Sequence, residues 1–188
     1  MFIQTEATPN PASMKFLPGR TVLEAGTMDM RDAESAAQSP LAAKLFAIPN
    51  VAGVFFGQDF IAITKSDGDW NHLKPAILGA VMEHFLSGEP IVRAGADISA
   101  SSGSADEFFD EKDASMVATI KELIETRVRP AVASDGGDIT FKGYRDGVVF
   151  LNMRGACAGC PSSTATLKNG IENLLRHFVP DVTEVRPV

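Results

Sequence analysis

One stretch of the sequence limits the possible fold more than any other. Between residues 93 and 112, Ala, Ser and Gly fill half of the positions and acidic residues fill a quarter. Such a composition offers too little apolar surface to form a core and is typical of a linker. The residues on either side suffice for one small domain each, but not for a barrel enzyme. We therefore expect two small domains, at residues 1–92 and 113–188, joined by a flexible acidic linker at 93–112.

The N-terminal domain is expected to combine short strands with two helices. Apolar and β-branched runs predict strands at residues 1–6, 14–17, 51–56 and 60–65, the last two forming a hairpin. Ser39 and Pro40 suit the cap and the first position of a short helix. Apolar residues at helical spacing predict a longer helix at 70–86, with Asp69 as its cap and Gly88 as its stop.

The C-terminal domain is expected to have the element order α-β-β-α-β. Its first helix should end near Arg127, Arg129 and Pro130, and two antiparallel strands should flank the turn at 145–147. A second helix at 162–178 and a short last strand follow. The fold class is therefore α+β, with the C-terminal helices packed on a short mixed sheet. We interpret residues 135–138, Asp-Gly-Gly-Asp, as a turn before the first strand and not as a metal-binding loop.

The charge distribution argues against nucleic acid and membrane partners. The net charge is −7, residues 113–188 carry nine basic and nine acidic side chains, and no basic patch stands out. Trp70 is expected in the core and not as a stacking platform, because no basic residues cluster around it. No apolar run is long enough to span a bilayer. The opening residues, 1–6, have no targeting pattern, which predicts a bacterial cytosolic location, with a mature organellar matrix form as the alternative.

Chemistry is concentrated in the only two cysteines, Cys157 and Cys160. A lone C-x-x-C in a reducing compartment indicates metal binding or thiol chemistry, not structural cross-linking. Pro161 favours a helix start, so Cys160 should lie where free backbone N–H groups and the helix dipole stabilise a thiolate. Both cysteines are expected in a surface loop.

A metal site built on these two thiolates would be incomplete within one chain. Tetrahedral zinc and the usual iron–sulfur clusters each take four protein ligands. His72 and His84 belong to the other domain, and His177 lies at the far end of a helix about 25 Å long. A second copy of the chain, related by a two-fold axis, would supply the two missing thiolates. The small residues around the cysteines would let the two loops approach closely.

The residues alone leave three readings of the C-x-x-C open. Cluster or metal binding comes first, thiol–disulfide exchange second, and a structural pair third. A hairpin precedes the motif here, whereas a thioredoxin-like site would follow a βαβ pattern, which disfavours the second reading. His84 and His177 are assigned structural roles. Phe108 and Phe109, at the end of the linker, are expected to pack against a neighbouring domain.

Five sequence segments resemble a known family. Residues 129–139 (RPAVASDGGDI), 155–163 (GACAGCPSS) and 166–172 (TLKNGIE) resemble the NifU-like C-terminal domain, a match that covers about 113–188. Residues 8–19 (TPNPASMKFLPG) and the helix headed by Trp70 are similar to the N-terminal domain of Nfu-type proteins.

This resemblance implies an iron–sulfur cluster scaffold or carrier, and not an enzyme. It implies a [4Fe–4S] cluster held between two subunits, with Cys157 and Cys160 as the ligands. Upstream cluster assembly proteins and apo iron–sulfur acceptors are the implied partners, and the implied cluster-bound form is a homodimer.

Overall fold

The computed structural model describes residues 1–96, 98, 107–158 and 161–188, with the side chains of 161–163 left out. The chain divides into two compact units, with the division between positions 100 and 101. We call them unit 1 and unit 2 and describe each by itself. Both contain a sheet with helices, so the expected α+β class is confirmed. None of the described helices is long and apolar enough to cross a membrane.

Unit 1 is built on an antiparallel sheet. The hydrogen-bonded order of its strands is β1-β2-β5-β4-β3, and the predicted hairpin joins β4 to β5. The short strand β3 pairs with β4 and was not predicted. The strands are β1 (Gln4–Ala7), β2 (Ser13–Leu17), β3 (Met28–Met30), β4 (Val51–Phe56) and β5 (Ile61–Lys65).

The helices of unit 1 begin and end at the residues that local chemistry favours. They are α1 (Ala33–Ala36), α2 (Pro40–Phe46) and α3 (Trp70–Ser87). Ser39 and Asp69 accept hydrogen bonds from the first turns of α2 and α3, as predicted, and Gly88 ends α3 with a φ of 71°. Trp70 packs against the core, and its Nε1 donates to the Pro11 carbonyl at 3.1 Å.

Part of the predicted linker packs against unit 1. Ala96 contacts its core, and the Arg93 backbone N–H donates to the Gln38 carbonyl at 2.9 Å. Just before the linker, Ile91 and Val92 also contact the core, and the Ser39 hydroxyl donates to the Ile91 carbonyl. Positions 97 and 99–106 of the linker lie outside the described part of the chain, so their flexibility stays a prediction.

Unit 2 has the predicted element order, and its helices pack on one face of a three-stranded sheet. The strands run in the order β6-β7-β8, with β6 and β7 antiparallel and β8 parallel to β7. The elements are α4 (Ala114–Leu123), a π-helical turn (Ile124–Val128), α5 (Arg129–Ser134), β6 (Gly137–Arg145), β7 (Val148–Gly155), α6 (Pro161–Phe178) and β8 (Glu184–Pro187).

The first helix of unit 2 does not end near Pro130, which corrects the prediction. Helical structure continues from α4 through the π-helical turn into α5 and ends at Ser134. Proline lacks an N–H and is tolerated in the first turn of a helix, and Pro130 stands in the first turn of α5. The π-helical turn thus restarts the helix at a position that accepts proline.

Phe108 fixes the other end of the predicted linker to unit 2. Its backbone N–H donates to the Lys142 carbonyl at 3.2 Å, and the Tyr144 N–H donates to its carbonyl at 2.9 Å. Its ring covers Gly143, where a Cβ would lie 2.5 Å from the ring. The predicted packing is therefore confirmed for Phe108, whereas Phe109 is 41% exposed.

Candidate functional site

Cys157 lies in the short connection between β7 and α6. Gly155, the last residue of β7, has a φ of 67°, and its carbonyl accepts the Ala158 N–H at 3.1 Å. The connection therefore turns sharply around Cys157. Thr164 in α6 donates its hydroxyl hydrogen to the Cys157 carbonyl at 3.3 Å, which links this turn to the helix.

The environment of Cys157 differs from the prediction. The residue is only 5% exposed and belongs to the core of unit 2, whereas the sequence predicted a surface loop. Cysteine is among the most often buried residue types, so a cysteine two residues after the end of a strand packs inward readily. Cys160 lies outside the described residues, and its position relative to Cys157 stays a prediction from the spacing.

A glycine forms the surface against which the Cys157 sulfur packs. A Cβ on Gly137 would lie 2.6 Å from Cys157 Sγ and 2.7 Å from the Arg154 carbonyl oxygen. Carbon atoms in optimal contact are about 3.5–4.0 Å apart, so a side chain at position 137 would displace the sulfur. Gly137 pairs with Gly155 across β6 and β7, which brings it to the cysteine.

The two glycines at 136 and 137 have different roles. Gly136 has a φ of 81°, which is the left-handed region where glycine is favoured, and it ends α5. Its carbonyl also accepts the Ala156 N–H at 3.2 Å, which ties the turn to the cysteine connection. The turn predicted at 135–138 is thus present, and its contact with Cys157 was missed. The signal was the second glycine, because the turn itself needs only the first.

An ion pair holds the beginning of β6. Arg129 Nε lies 2.8 Å from Asp138 Oδ1, and Arg129 Nη2 lies 2.8 Å from Asp138 Oδ2. Arg129 Nη1 also donates to Glu125 Oε1 at 2.8 Å. Burial disfavours the charged guanidinium, but the hydrogen bonds and charge of Asp138, with help from Glu125, outweigh it and raise the pKa of Arg129 above its ordinary value.

The histidines do not supply ligands near Cys157 in the described structure. His84 is fully buried in unit 1, and among the described residues neither ring nitrogen has a hydrogen-bond partner. Its Nδ1 lies 3.7 Å from Glu89 Oε2. His177 is in the last turn of α6, where its ring packs against Phe178. Within the described ranges, no three His, Cys, Asp or Glu side chains form a group that could hold a metal ion.

The sequence matches two family models that together cover most of the chain. Residues 3–88 match the model described as scaffold protein Nfu/NifU N terminal, and residues 120–186 match the NifU-like domain. The first match lies in unit 1 and the second in unit 2.

Curated relatives match over almost the full length of this chain. It is 50% identical over 190 residues to the human NFU1 iron-sulfur cluster scaffold homolog, mitochondrial, and covers 72% of that protein. It is 50% identical over 188 residues to NifU-like protein 4, mitochondrial, of Arabidopsis thaliana, and covers 65% of it. A solution structure of a NifU-like protein from Saccharomyces cerevisiae is 25% identical over half of this chain and 86% of its own, with a TM-score of 0.46.

The bacterial cytosolic location expected from the sequence is wrong. These relatives are named as mitochondrial proteins, which favours an organellar location over a bacterial cytosol. The expectation rested on the composition of residues 1–6, which lead into and form part of β1. That composition reflects strand formation and carries no information about location.

Proposed function

Since the chain belongs to the Nfu family of iron–sulfur cluster scaffold proteins, we propose that it binds a [4Fe–4S] cluster through Cys157 and Cys160 and delivers it to apo-proteins. The cluster is cargo, and no catalytic turnover is part of the proposal. The observation that carries the proposal is the C-x-x-C spacing of the only two cysteines, within the segment that matches the NifU-like domain. The sole C-x-x-C of the chain stands between β7 and α6, and the first sulfur packs on a bare glycine of the family-matched domain.

The two cysteine thiols of one chain are of the right chemical type to bind iron, but they are too few for a four-iron cluster. Cysteine thiolates are the usual ligands of iron–sulfur clusters, and a four-iron cluster takes four of them. Two copies of the chain, related by a two-fold axis, provide four. Residues 113–188 carry equal numbers of basic and acidic side chains, so this segment adds no net charge repulsion between two copies.

Because Cys157 is buried, its side chain must move before a cluster can be loaded. A sulfur that is almost fully enclosed cannot reach iron shared with a second chain until its side chain or its loop turns outward. The small residues on both sides, Gly155, Ala156 and Ala158, leave room for that movement. Loading and release of the cluster are thus coupled to a local rearrangement of the connection between β7 and α6.

No structural observation favours thiol–disulfide exchange, the rival reading of the motif. In that reaction a thiolate must attack the disulfide of another molecule, which requires access. Cys157 is 5% exposed and lies in the core of unit 2. We therefore keep oxidoreductase activity only as an outcome that the experiment must be able to detect.

The test compares Cys157→Ser and Cys160→Ser with the unaltered chain after anaerobic reconstitution with iron and sulfide. Iron and sulfide are counted per chain after desalting, and the visible absorption of the cluster is recorded. Ala158→Ser is the matched control, because it adds a hydroxyl to the same loop without removing a thiol. Loss of the cluster in both cysteine variants but not in the control supports the proposal. Retention of a full cluster without either thiol refutes it.

Two further arms address the alternatives. Uptake of zinc without iron favours a structural metal site. Catalytic reduction of insulin disulfides by the unaltered chain, and not by the cysteine variants, favours the oxidoreductase. Folding is checked by far-UV circular dichroism. The serine substitutions should leave this spectrum unchanged.

Whether residues 1–92 take part in partner recognition is decided by removing them. Upstream assembly proteins would supply the cluster and apo iron–sulfur proteins would accept it. If residues 1–92 recognise either partner, a chain without them should transfer its cluster more slowly at equal loading. Equal transfer rates to several acceptors would remove this role.

A further inference from the structure

The helix before the cysteine site has an unusual winding that follows from its sequence. Its buried residues Ile120, Ile124, Val128 and Val132 recur at intervals of four. An α-helix has 3.6 residues per turn, so apolar residues four apart drift around the helix by about 40° at each step. The π-helical turn at Ile124–Val128 takes up this drift, because it holds more residues per turn. Such turns are frequent at functional sites.

The residue that directly follows the π-helical turn is Arg129. Its side chain is 15% exposed and lies against Asp138, whose side chain is 5% exposed. Both carboxylate oxygens of Asp138 accept from the guanidinium at 2.8 Å, a bidentate geometry that fixes orientation as well as distance. Asp138 Oδ1 also accepts the Ile139 N–H at 2.8 Å, so the carboxylate is tied to the strand itself.

We infer that Arg129 and Asp138 are positioning residues for the Cys157 thiol. Asp138 directly follows Gly137, whose Cα forms the surface under Cys157 Sγ and has no space for a methyl group there. Fixing Asp138 therefore fixes the glycine on which the sulfur rests. The pair acts on the thiol through Gly137, because Asp138 is the next residue of β6.

The inference rests on the proposed function, because positioning the thiol matters only if the thiol binds a cluster. The position of the thiol can nevertheless be measured without any cluster. A ligand that must move outward to bind iron needs a defined starting position, so that the two copies present matching thiols. The ion pair between Arg129 and Asp138 supplies that position by fixing Gly137. Weakening this ion pair should expose the thiol before any cluster is bound and should shorten the lifetime of the bound cluster.

The experiment measures the apo thiol and the cluster separately. In a Cys160→Ser background, the rate of Cys157 alkylation by iodoacetamide is followed by intact-mass spectrometry. Arg129→Lys keeps the charge but not the two-pronged contact, and Asp138→Asn keeps the shape but not the charge. Glu125→Gln is the matched control, because it removes the third, half-exposed partner of Arg129. With both native cysteines present, the half-life of the reconstituted cluster against an iron chelator and its visible circular dichroism are compared.

We expect alkylation to rise about tenfold or more in the Arg129 and Asp138 variants, because breaking a buried pair favours local opening. The cluster half-life should shorten and the visible dichroism should change, with Glu125→Gln unaltered in all three. Unchanged alkylation in either variant that keeps its far-UV dichroism overturns the inference, as does an equal rise in Glu125→Gln. If Asp138→Asn does not fold, the alkylation rate of Arg129→Lys alone decides whether the inference holds. Failure of the unaltered chain to retain iron overturns the proposed function, and the alkylation result still decides the inference.

Discussion

Replacing Gly137 with alanine should release the Cys157 thiol from its buried position. The new methyl carbon would lie 2.6 Å from Sγ and 2.7 Å from the Arg154 carbonyl oxygen. Ordinary contact needs about 1 Å more, and the backbone oxygen cannot move without disturbing β7, so the sulfur has to yield. The added methyl group should destabilise the folded state by about 1–3 kcal/mol through overpacking. Replacing glycine also reduces the conformational entropy of the unfolded chain, which stabilises the folded state by about 0.4–1 kcal/mol. The free energy of unfolding should therefore fall by about 1–2 kcal/mol.

The assay is the alkylation rate of Cys157 in the apo Cys160→Ser background, read beside urea unfolding. Gly143→Ala is the matched control, since it crowds the same strand but meets the Phe108 ring instead of the thiol. Gly137→Ala should raise the alkylation rate about tenfold, and Gly143→Ala should leave it within about twofold, at similar losses of stability. Equal rates in Gly137→Ala and the unaltered chain would show that the sulfur does not rest on Gly137.

Three other predictions concern stability. Gly170→Ala should raise the unfolding free energy of unit 2 by about 0.5–1 kcal/mol in urea titrations, because the glycine lies inside α6 and its Cβ would meet no atom within 4 Å. Burial lowers the pKa of His84 below 6.5, so unfolding takes up a proton and stability should fall as the pH drops below 6.5. His84→Leu should reduce this loss, measured by urea unfolding at pH 7.5 and 5.5. A fragment of residues 107–188 should be more stable than 113–188 by about 1–2 kcal/mol, because the shorter one lacks Phe108; equal urea midpoints would contradict this.

Helix ends in unit 1 could be predicted because they depend on local chemistry. Ser39 and Asp69 cap helices through hydrogen bonds to residues two or three positions away, and Gly88 adopts a conformation that glycine favours. Strand β3 was missed because its three residues form a strand only through pairing with β4. Helix α1 was missed although Asp32 and Ser35 form a capping box at its start, a local signal that the sequence offered.

The cysteine pair could be found in the sequence, but the surroundings of Cys157 could not. The spacing of two cysteines is a local pattern, whereas burial of the first depends on pairing between Gly137 and Gly155. Arg129 was predicted to lie at a helix end, because Pro130 usually stops a helix. The π-helical turn carries the chain past that point, and only this winding places the guanidinium against Asp138.

The most direct test of the account is the iron content and mass of the reconstituted protein. Anaerobic native mass spectrometry of the full chain, with Mössbauer spectra of the same sample, gives the metal, the cluster type and the number of chains together. The account predicts about four irons and four sulfides on two chains, lost when Cys157 or Cys160 is replaced. A four-iron cluster on a single chain, or a dimer that holds zinc and takes up no iron, would contradict it.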